Sequence, residues 1–405
     1  MMTGHWYKRA CHEKKGYASM KKDIYDMLVH KYKSGIYGLT LYGLDPEAIA
    51  TFKEALKIFF TQDEAELAIQ LQLTPETIAN LCKRIGKAEQ EIYPLLKSMA
   101  KNACVWEGEA QGQKTYQLFE WISMMENFMR RTDKVDPFVE KMINWWEDIK
   151  LTDAGFEIKP TPLRTLPVGV EIEKVGGILP YESIPQVIKK QDFIAVAECY
   201  CRKPKRLIGQ ESCAHPLDVC LIFGSYARHL VNYGYGKRLS IEETLDLIKD
   251  CEERGLVHTA DNIKDITWLC NCCGCCCASL SSHVKVGRTD TTSSDFIVSF
   301  DSERCTEAGI CGICVDRCQL KAIAIGKEGD IPVIDYDKCV GCGSCSYKCP
   351  AGALSLKRRE RSIVPYEDVK RLYEDITQNI IKQILRHPIR RVVVPMFQKL
   401  HLFPK

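Results

Sequence analysis

The chain of 405 residues carries a formal charge of +3, and 45% of its residues are hydrophobic. That length suggests roughly two to four domains with real cores, and a charge so near zero does not by itself imply a polyanionic partner. Its 22 cysteines fall in dense tracts such as Cys275, Cys276 and Cys277, which suit metal ions better than a disulfide framework.

Residues 1–36 are basic and weakly patterned, and the Lys-rich start from Met1 to Met27 has no apolar core like that of a secretory signal. No run in the chain approaches the roughly 18 apolar residues of a membrane-spanning helix. A reducing cytoplasm, in an anaerobic or facultative cell, is therefore expected.

Residues 37–155 read as helical. Thr74 is placed to cap a helix with Pro75 just inside it, carrying Ile78, Leu81 and Cys82 and stopping near Gly86. A second helix is predicted from Lys87 towards Ala103, with Ile92, Leu95, Leu96 and Met99 on one stripe. Two short strands near Val105 and Tyr116 then flank a turn at Gln111-Gly112-Gln113. Helix, helix and hairpin in this order resemble a winged helix-turn-helix. That resemblance implies DNA as a possible partner. However, the second helix sets Glu89 and Glu91 against Lys87, Lys97 and Lys101 and has no arginine, which favours a structural or protein-docking role.

Pro160, Pro162 and Pro167 mark a linker or extended edge, and residues 156–290 read as a cysteine-rich domain of mixed α and β character. The run Phe193–Ala197 is predicted as a strand, and Ser240 with Glu243 as a capping box for a helix ending at Gly255. Ten cysteines lie here in two groups: Cys199, Cys201, Cys213 and Cys220, then Cys270, Cys272, Cys273, Cys275, Cys276 and Cys277. Residues two apart in a strand share a face, so Cys199 and Cys201 are expected to point together, as are Cys270 and Cys272. Cys220 is expected at the start of a helix after Pro216. One or two further 4Fe-4S clusters are the expectation, with structural zinc or a dithiol–disulfide couple as alternatives. His258 is either a ligand or proton donor, or a hydrogen-bonded structural histidine.

Residues 291–360 are the most informative. Cys339-Val-Gly-Cys342-Gly-Ser-Cys345-Ser-Tyr-Lys-Cys349-Pro350 follows the C-x2-C-x2-C-x3-C-P spacing, in which three close thiolates wrap one cubane and the fourth reaches another. An internal repeat lies upstream: Ser299–Cys305 parallels Ile334–Cys339, and Cys318 with Ala322 and Ile323 parallels Cys349 with Ala353 and Leu354. Residues 294–357 thus resemble the bacterial-type two-cluster ferredoxins. The resemblance implies a pseudo-twofold β-α-β fold and two 4Fe-4S clusters. By position, Cys305, Cys311, Cys314 and Cys349 would hold one, and Cys339, Cys342, Cys345 and Cys318 the other. The upstream motif departs from the pattern in two ways: five residues separate Cys305 from Cys311, and Gln319 replaces the proline. A zinc knuckle would not account for the repeated C-x2-C-x3-C core.

Residues 361–405 form a basic amphipathic tail suited to a membrane surface, a partner, or packing on its own protein. Gly234-Tyr-Gly236-Lys237 lacks the spacing of a nucleotide loop, and no haem-attachment run occurs. The whole is read as a multidomain α+β iron–sulfur protein: a winged-helix-like N-terminal domain, a cysteine-rich middle and a dicluster ferredoxin end. The expected function is relay of low-potential electrons to or from an oxidoreductase partner. A redox-responsive regulator, or an oxidoreductase with a catalytic cluster in residues 190–280, are the alternatives.

Overall fold

The computed structural model describes residues 23–35, 46–151, 157–210, 213–305, 311–326, 331–360 and 364–386. Helices Ile24–Lys33, Pro46–Phe59 and Gln62–Ala68 open it. Their apolar stripes meet around Phe52, whose ring lies 5.7 Å from Trp121 and 5.8 Å from Trp145. Next come β1 (Glu76–Thr77), helices Ile78–Ile85 and Glu89–Lys101, and the hairpin of β2 (Val105–Ala110) and β3 (Gln113–Leu118). These three strands form one sheet in the order β1-β3-β2. The first of these helices begins later than Thr74 suggested. Thr77 is the cap, its hydroxyl accepting from the Asn80 N–H, because residues 76–77 are committed to pairing with β3.

Helices Trp121–Arg131 and Pro137–Leu151 lead into a seven-stranded sheet. Its strands are β4 (Leu163–Leu166), β5 (Ile194–Glu198), β6 (Asp218–Phe223), β7 (Lys237–Leu239), β8 (Val257–Asp261), β9 (Trp268–Cys272) and β10 (Thr292–Ser293), ordered β10-β4-β8-β9-β6-β5-β7. Only the β10–β4 pair is parallel. One face buries Ala195, Ala197 and Ile222 in a core continuous with the N-terminal helices. The other buries Ile194, Val196, Leu221 and Leu269 with Ile248 of the helix Ile241–Glu253, whose Ser240–Glu243 capping box forms. Leu372 and Ile376 of the helix Val369–Arg386 join this second core, so the start of the tail packs on its own protein. The rest of the tail, 387–405, lies outside the described residues.

The last strands are β11 (Phe296–Phe300), β12 (Ile323–Ile325), β13 (Pro332–Ile334) and β14 (Leu354–Arg358). β11 pairs antiparallel with β14 and β12 with β13. This part is tied to the large sheet by the Val168 N–H to the Cys342 carbonyl (2.9 Å) and by Arg317, which donates to the carbonyls of Glu252 (2.7 Å) and Glu253 (3.0 Å). Mixed helix and sheet with a ferredoxin-like C-terminal region describes the molecule.

Candidate metal centres

The internal repeat has a structural counterpart. Each half closes with a backbone bond from an aspartate preceding its first cysteine to an alanine of the other half. The Asp301 N–H donates to Ala353 (2.9 Å), and the Asp335 N–H to Ala322 (2.8 Å). Each fourth-position cysteine then receives an amide four residues on, Ala322 to Cys318 Sγ (3.2 Å) and Ala353 to Cys349 Sγ (3.3 Å). Such donors stabilise charge on a sulfur.

Cys305, Cys311, Cys314 and Cys349 together line one cavity of about 310 Å³, walled otherwise by apolar groups such as Phe300, Ile313 and Leu354. Cys318, Cys339, Cys342 and Cys345 line a second, tighter void with Leu320, Ile323 and Val340. Gly341, between two of these cysteines, has φ of 60°, and a Cβ there would run into the Phe296 carbonyl oxygen. The loop can therefore lie against β11 only as glycine. Burial pushes the Cys342 thiol up to about 12 and also raises Cys318 and Cys345. A bare thiolate is costly there. Thiolates are sustained when their charge is shared with metal, and two quartets of soft sulfur donors in apolar voids suit iron–sulfur clusters.

The upstream cysteines sort into two sets. Cys213, Cys273, Cys275 and Cys276 bring all four Sγ atoms within 4.8 Å of one another, with Cys213–Cys273 at 3.7 Å and Cys275–Cys276 at 3.5 Å. The other six form a chain of sulfur contacts from Cys201 to Cys199, Cys220, Cys270, Cys272 and Cys277. Two sequence expectations about this set are corrected. Cys220 lies on β6, not at a helix start: the buried run from Val219 to Phe223 pairs with β5 and β9, and a short apolar run has no period that separates strand from helix. Nor do Cys199 and Cys201 share a strand face. β5 ends at Glu198 and the chain turns, with Arg202 and Lys203 donating back to the Cys199 carbonyl, so Cys201 caps the helix Arg202–Leu207. Cys270 and Cys272 do lie together on β9.

Sequence reasoning missed three features. Cys251 is fully buried against this sulfur cluster, and burial pushes its thiol up to about 12. Its place in a helix with ordinary apolar spacing gave no signal. Arg202, with no exposed surface, donates to the Asn271 carbonyl (3.3 Å) and to Cys273 Sγ (3.4 Å). Burial opposes its charge, yet the neighbouring Cys199 and Cys273 sulfurs hold its pKa above the usual value. Finally, the Gly274 N–H donates to Gln319 Oε1 (3.0 Å), which ties the upstream cysteine tract to the ferredoxin-like part. His258 is buried with Nδ1 2.6 Å from Asn271 Oδ1. Asn271 donates its Nδ2 to the Val219 carbonyl (2.7 Å), so the imidazole is the donor of the pair.

Comparison with known proteins agrees with the donor chemistry. Residues 332–355 match the 4Fe-4S binding domain family. An uncharacterized ferredoxin of Methanocaldococcus jannaschii is 41% identical over 46 residues, 11% of this chain and 29% of that protein. An uncharacterized protein of Methanothermobacter thermautotrophicus is 36% identical over 67 residues, 16% of this chain and 14% of the relative. A sulfite dehydrogenase subunit of Allochromatium vinosum is 38% identical over 48 residues, 12% of this chain and 20% of that protein. The chain thus spans less than a third of the length of each of these relatives, and no solved structure matches it. The chain is an iron–sulfur protein that carries a 4Fe-4S ferredoxin domain at residues 332–355.

Proposed function

We propose that the protein is an electron relay with two 4Fe-4S clusters in its ferredoxin-like part and a further iron–sulfur centre drawn from Cys199, Cys201, Cys220, Cys270, Cys272 and Cys277. The observation that carries this reading is the continuity of the sulfur sites. Cys272 and Cys277 share an apolar cluster with Leu320 and Val340, and Cys318, Cys339 and Cys342 pack against its edge. Cys318 and Cys339 in turn border, together with Cys314 and Cys349, the apolar cluster of Val298, Ile323, Cys345 and Leu354. The sites thus follow one another through shared apolar packing, which suits electron transfer between them.

The outer end of this path is the cavity beside Cys305 and Cys311, lined by the exposed Ile313 and by Pro332, whose chain neighbours Ile331 and Val333 are exposed as well. Apolar groups around a half-exposed cluster suit transient docking of a redox protein. The relative that is a sulfite dehydrogenase subunit fits a component that passes electrons within an oxidoreductase assembly. The winged-helix-like segment 76–118 serves this reading as a packing and docking element. Lys97 is taken up by Glu107 (2.7 Å) and the Tyr233 hydroxyl (2.6 Å), while Glu89 and Glu91 remain exposed on the same helix. Lys87 and Lys101 are exposed too, so the exposed charges there balance and form no net cationic face for phosphates. Among the described residues no helix is long and apolar enough to cross a membrane.

The test is iron and acid-labile sulfide in the full chain purified anaerobically, with EPR after reduction. Two cubanes supply about eight of each, and the third centre should raise the total above that. Interacting low-potential signals are expected. Zinc without labile sulfide would remove the reading altogether, and iron stopping at about eight would remove the third centre.

A further inference from the structure

The quartet Cys213, Cys273, Cys275 and Cys276 differs in kind from the other sulfur sites. Four thiolates on one tetrahedral ion with metal–sulfur bonds of about 2.3 Å stand about 3.8 Å apart. In a cubane each thiolate binds its own iron, so the sulfurs stand well beyond that. The observed separations of 3.7 Å for Cys213–Cys273 and 3.5 Å for Cys275–Cys276, with all four within 4.8 Å, match the single ion. Among the described residues this is the one group of donors so closely gathered, and neither ferredoxin-like quartet meets that limit.

The surroundings add a second observation. The helix Arg202–Leu207 turns three cations onto this quartet. Arg202 reaches Cys273 Sγ, Lys205 the Cys275 carbonyl (3.3 Å), and Arg206 Nε the Cys213 carbonyl (3.1 Å). Arg202 and Lys205 are 0% and 2% exposed. Arg202, whose contacts are the Pro216 and Asn271 carbonyls and Cys273 Sγ, is a buried cation that calls for a buried anion, and neutral thiols do not provide one. A divalent ion on four thiolates carries a net charge of −2 and does. That charge would suit a cubane too, so the spacing decides between them.

We propose that Cys213, Cys273, Cys275 and Cys276 bind one zinc ion, a structural site separate from the iron–sulfur path. Tetrahedral four-thiolate coordination is the closed arrangement of structural zinc, and zinc outcompetes ferrous iron for such donors. The ion would clamp the segment before β6 to the segment after β9. It would thereby hold Gly274 in place against Gln319.

Zinc is to be measured by mass spectrometry in the full chain prepared anaerobically with both metals in the medium. One zinc per chain is expected alongside the iron. A Cys213→Ser, Cys276→Ser double variant should lose it with iron and labile sulfide unchanged. Should that variant not fold, the native chain from cobalt-supplemented culture gives the answer, through the ligand-field and sulfur-to-cobalt bands of a tetrahedral Co(II) tetrathiolate. Absence of those bands and of zinc, loss of iron and sulfide with the double variant, or a single iron in place of zinc would each overturn the proposal. Zinc content is read independently of the iron total, so this assignment and the relay reading can fail separately.

Discussion

At the scale of single residues, the junction between the cysteine tract and the ferredoxin-like part rests on Gly274 and Gln319. Gln319 follows Cys318 where the second half of the repeat has Pro350 after Cys349. As a motif this is a departure. In the fold it is a contact, because the amide oxygen accepts the Gly274 N–H at 3.0 Å, a bond proline could not make. A Cβ on Gly274 would run into the Gln319 backbone carbonyl, which cannot swing aside as a side-chain end can. Gly274→Ala is therefore expected to cost about 1–3 kcal/mol through forced separation of the two segments. Gln319→Ala should lose only about 0.5–1.5 kcal/mol with its one hydrogen bond. Thermal unfolding followed by cluster absorbance measures both. A Gly274→Ala protein as stable as the parent would mean that the two segments separate freely.

At the scale of elements, the N-terminal hairpin is held by His229 on the helix Gly224–Asn232, which packs on the large sheet. The Glu107 N–H of β2 donates to His229 Nδ1 (3.2 Å), and the ring lies edge-on to Phe119 at 5.3 Å. Burial lowers the His229 pKa from 6.5 to about 4. A group whose folded pKa is depressed contributes stability that is complete above the unfolded value and lost as pH falls. The contribution is thus intact above about pH 6.5 and disappears progressively towards pH 4. That drop, at about 1.4 kcal/mol per pH unit, bounds it at about 3.5 kcal/mol. The Glu107 amide should be strongly protected from hydrogen exchange at pH 7 and lose protection, after correction for intrinsic rates, as pH falls through this window. In His229→Asn, whose Oδ1 can accept but not titrate, protection should stay level with pH. A parallel decline in both proteins would remove the imidazole as the cause.

The elements also show where the sequence could be read and where it could not. The ferredoxin-like part was legible because cysteine spacing and the repeat around Asp301 and Asp335 are local signals of a local fold. The seven-stranded sheet was not, since β4 pairs with β8 and β10 across about a hundred residues of chain. No spacing rule links partners so distant. The turn after Glu198 was hidden because alternation continued through Cys199 and Cys201 while the hydrogen bonds had already gone to Arg202 and Lys203. Nothing in the local sequence marks the cations of the helix Arg202–Leu207 as buried, and only the fold reveals that Arg202 and Lys205 lie on sulfur-bearing segments.

At the scale of the whole molecule, the order of the sulfur sites sets the direction in which reducing equivalents can enter. The cavity of Cys305, Cys311, Cys314 and Cys349 opens beside exposed apolar side chains, whereas Cys220 and Cys272 are 2% and 8% exposed on strands of the large sheet. Between them stands the void of Cys318, Cys339, Cys342 and Cys345. A reductant too large to penetrate the protein should therefore fill the outer cluster first and the upstream centre last. Two variants separate the steps. Cys199→Ala with Cys201→Ala should cost about one cubane of iron, roughly four atoms per chain, while the ferredoxin-like EPR signals persist. Cys318→Ala removes a ligand expected for the middle cluster because the fourth cysteine crosses between halves. It should leave the outer cluster reducible at the parental rate and slow reduction of the upstream centre by at least tenfold, read by freeze-quench EPR with a reduced carrier protein as donor. Equal rates at the upstream centre in parent and Cys318→Ala would show that electrons bypass the middle site, and the linear path would have to be abandoned even if every cluster is present.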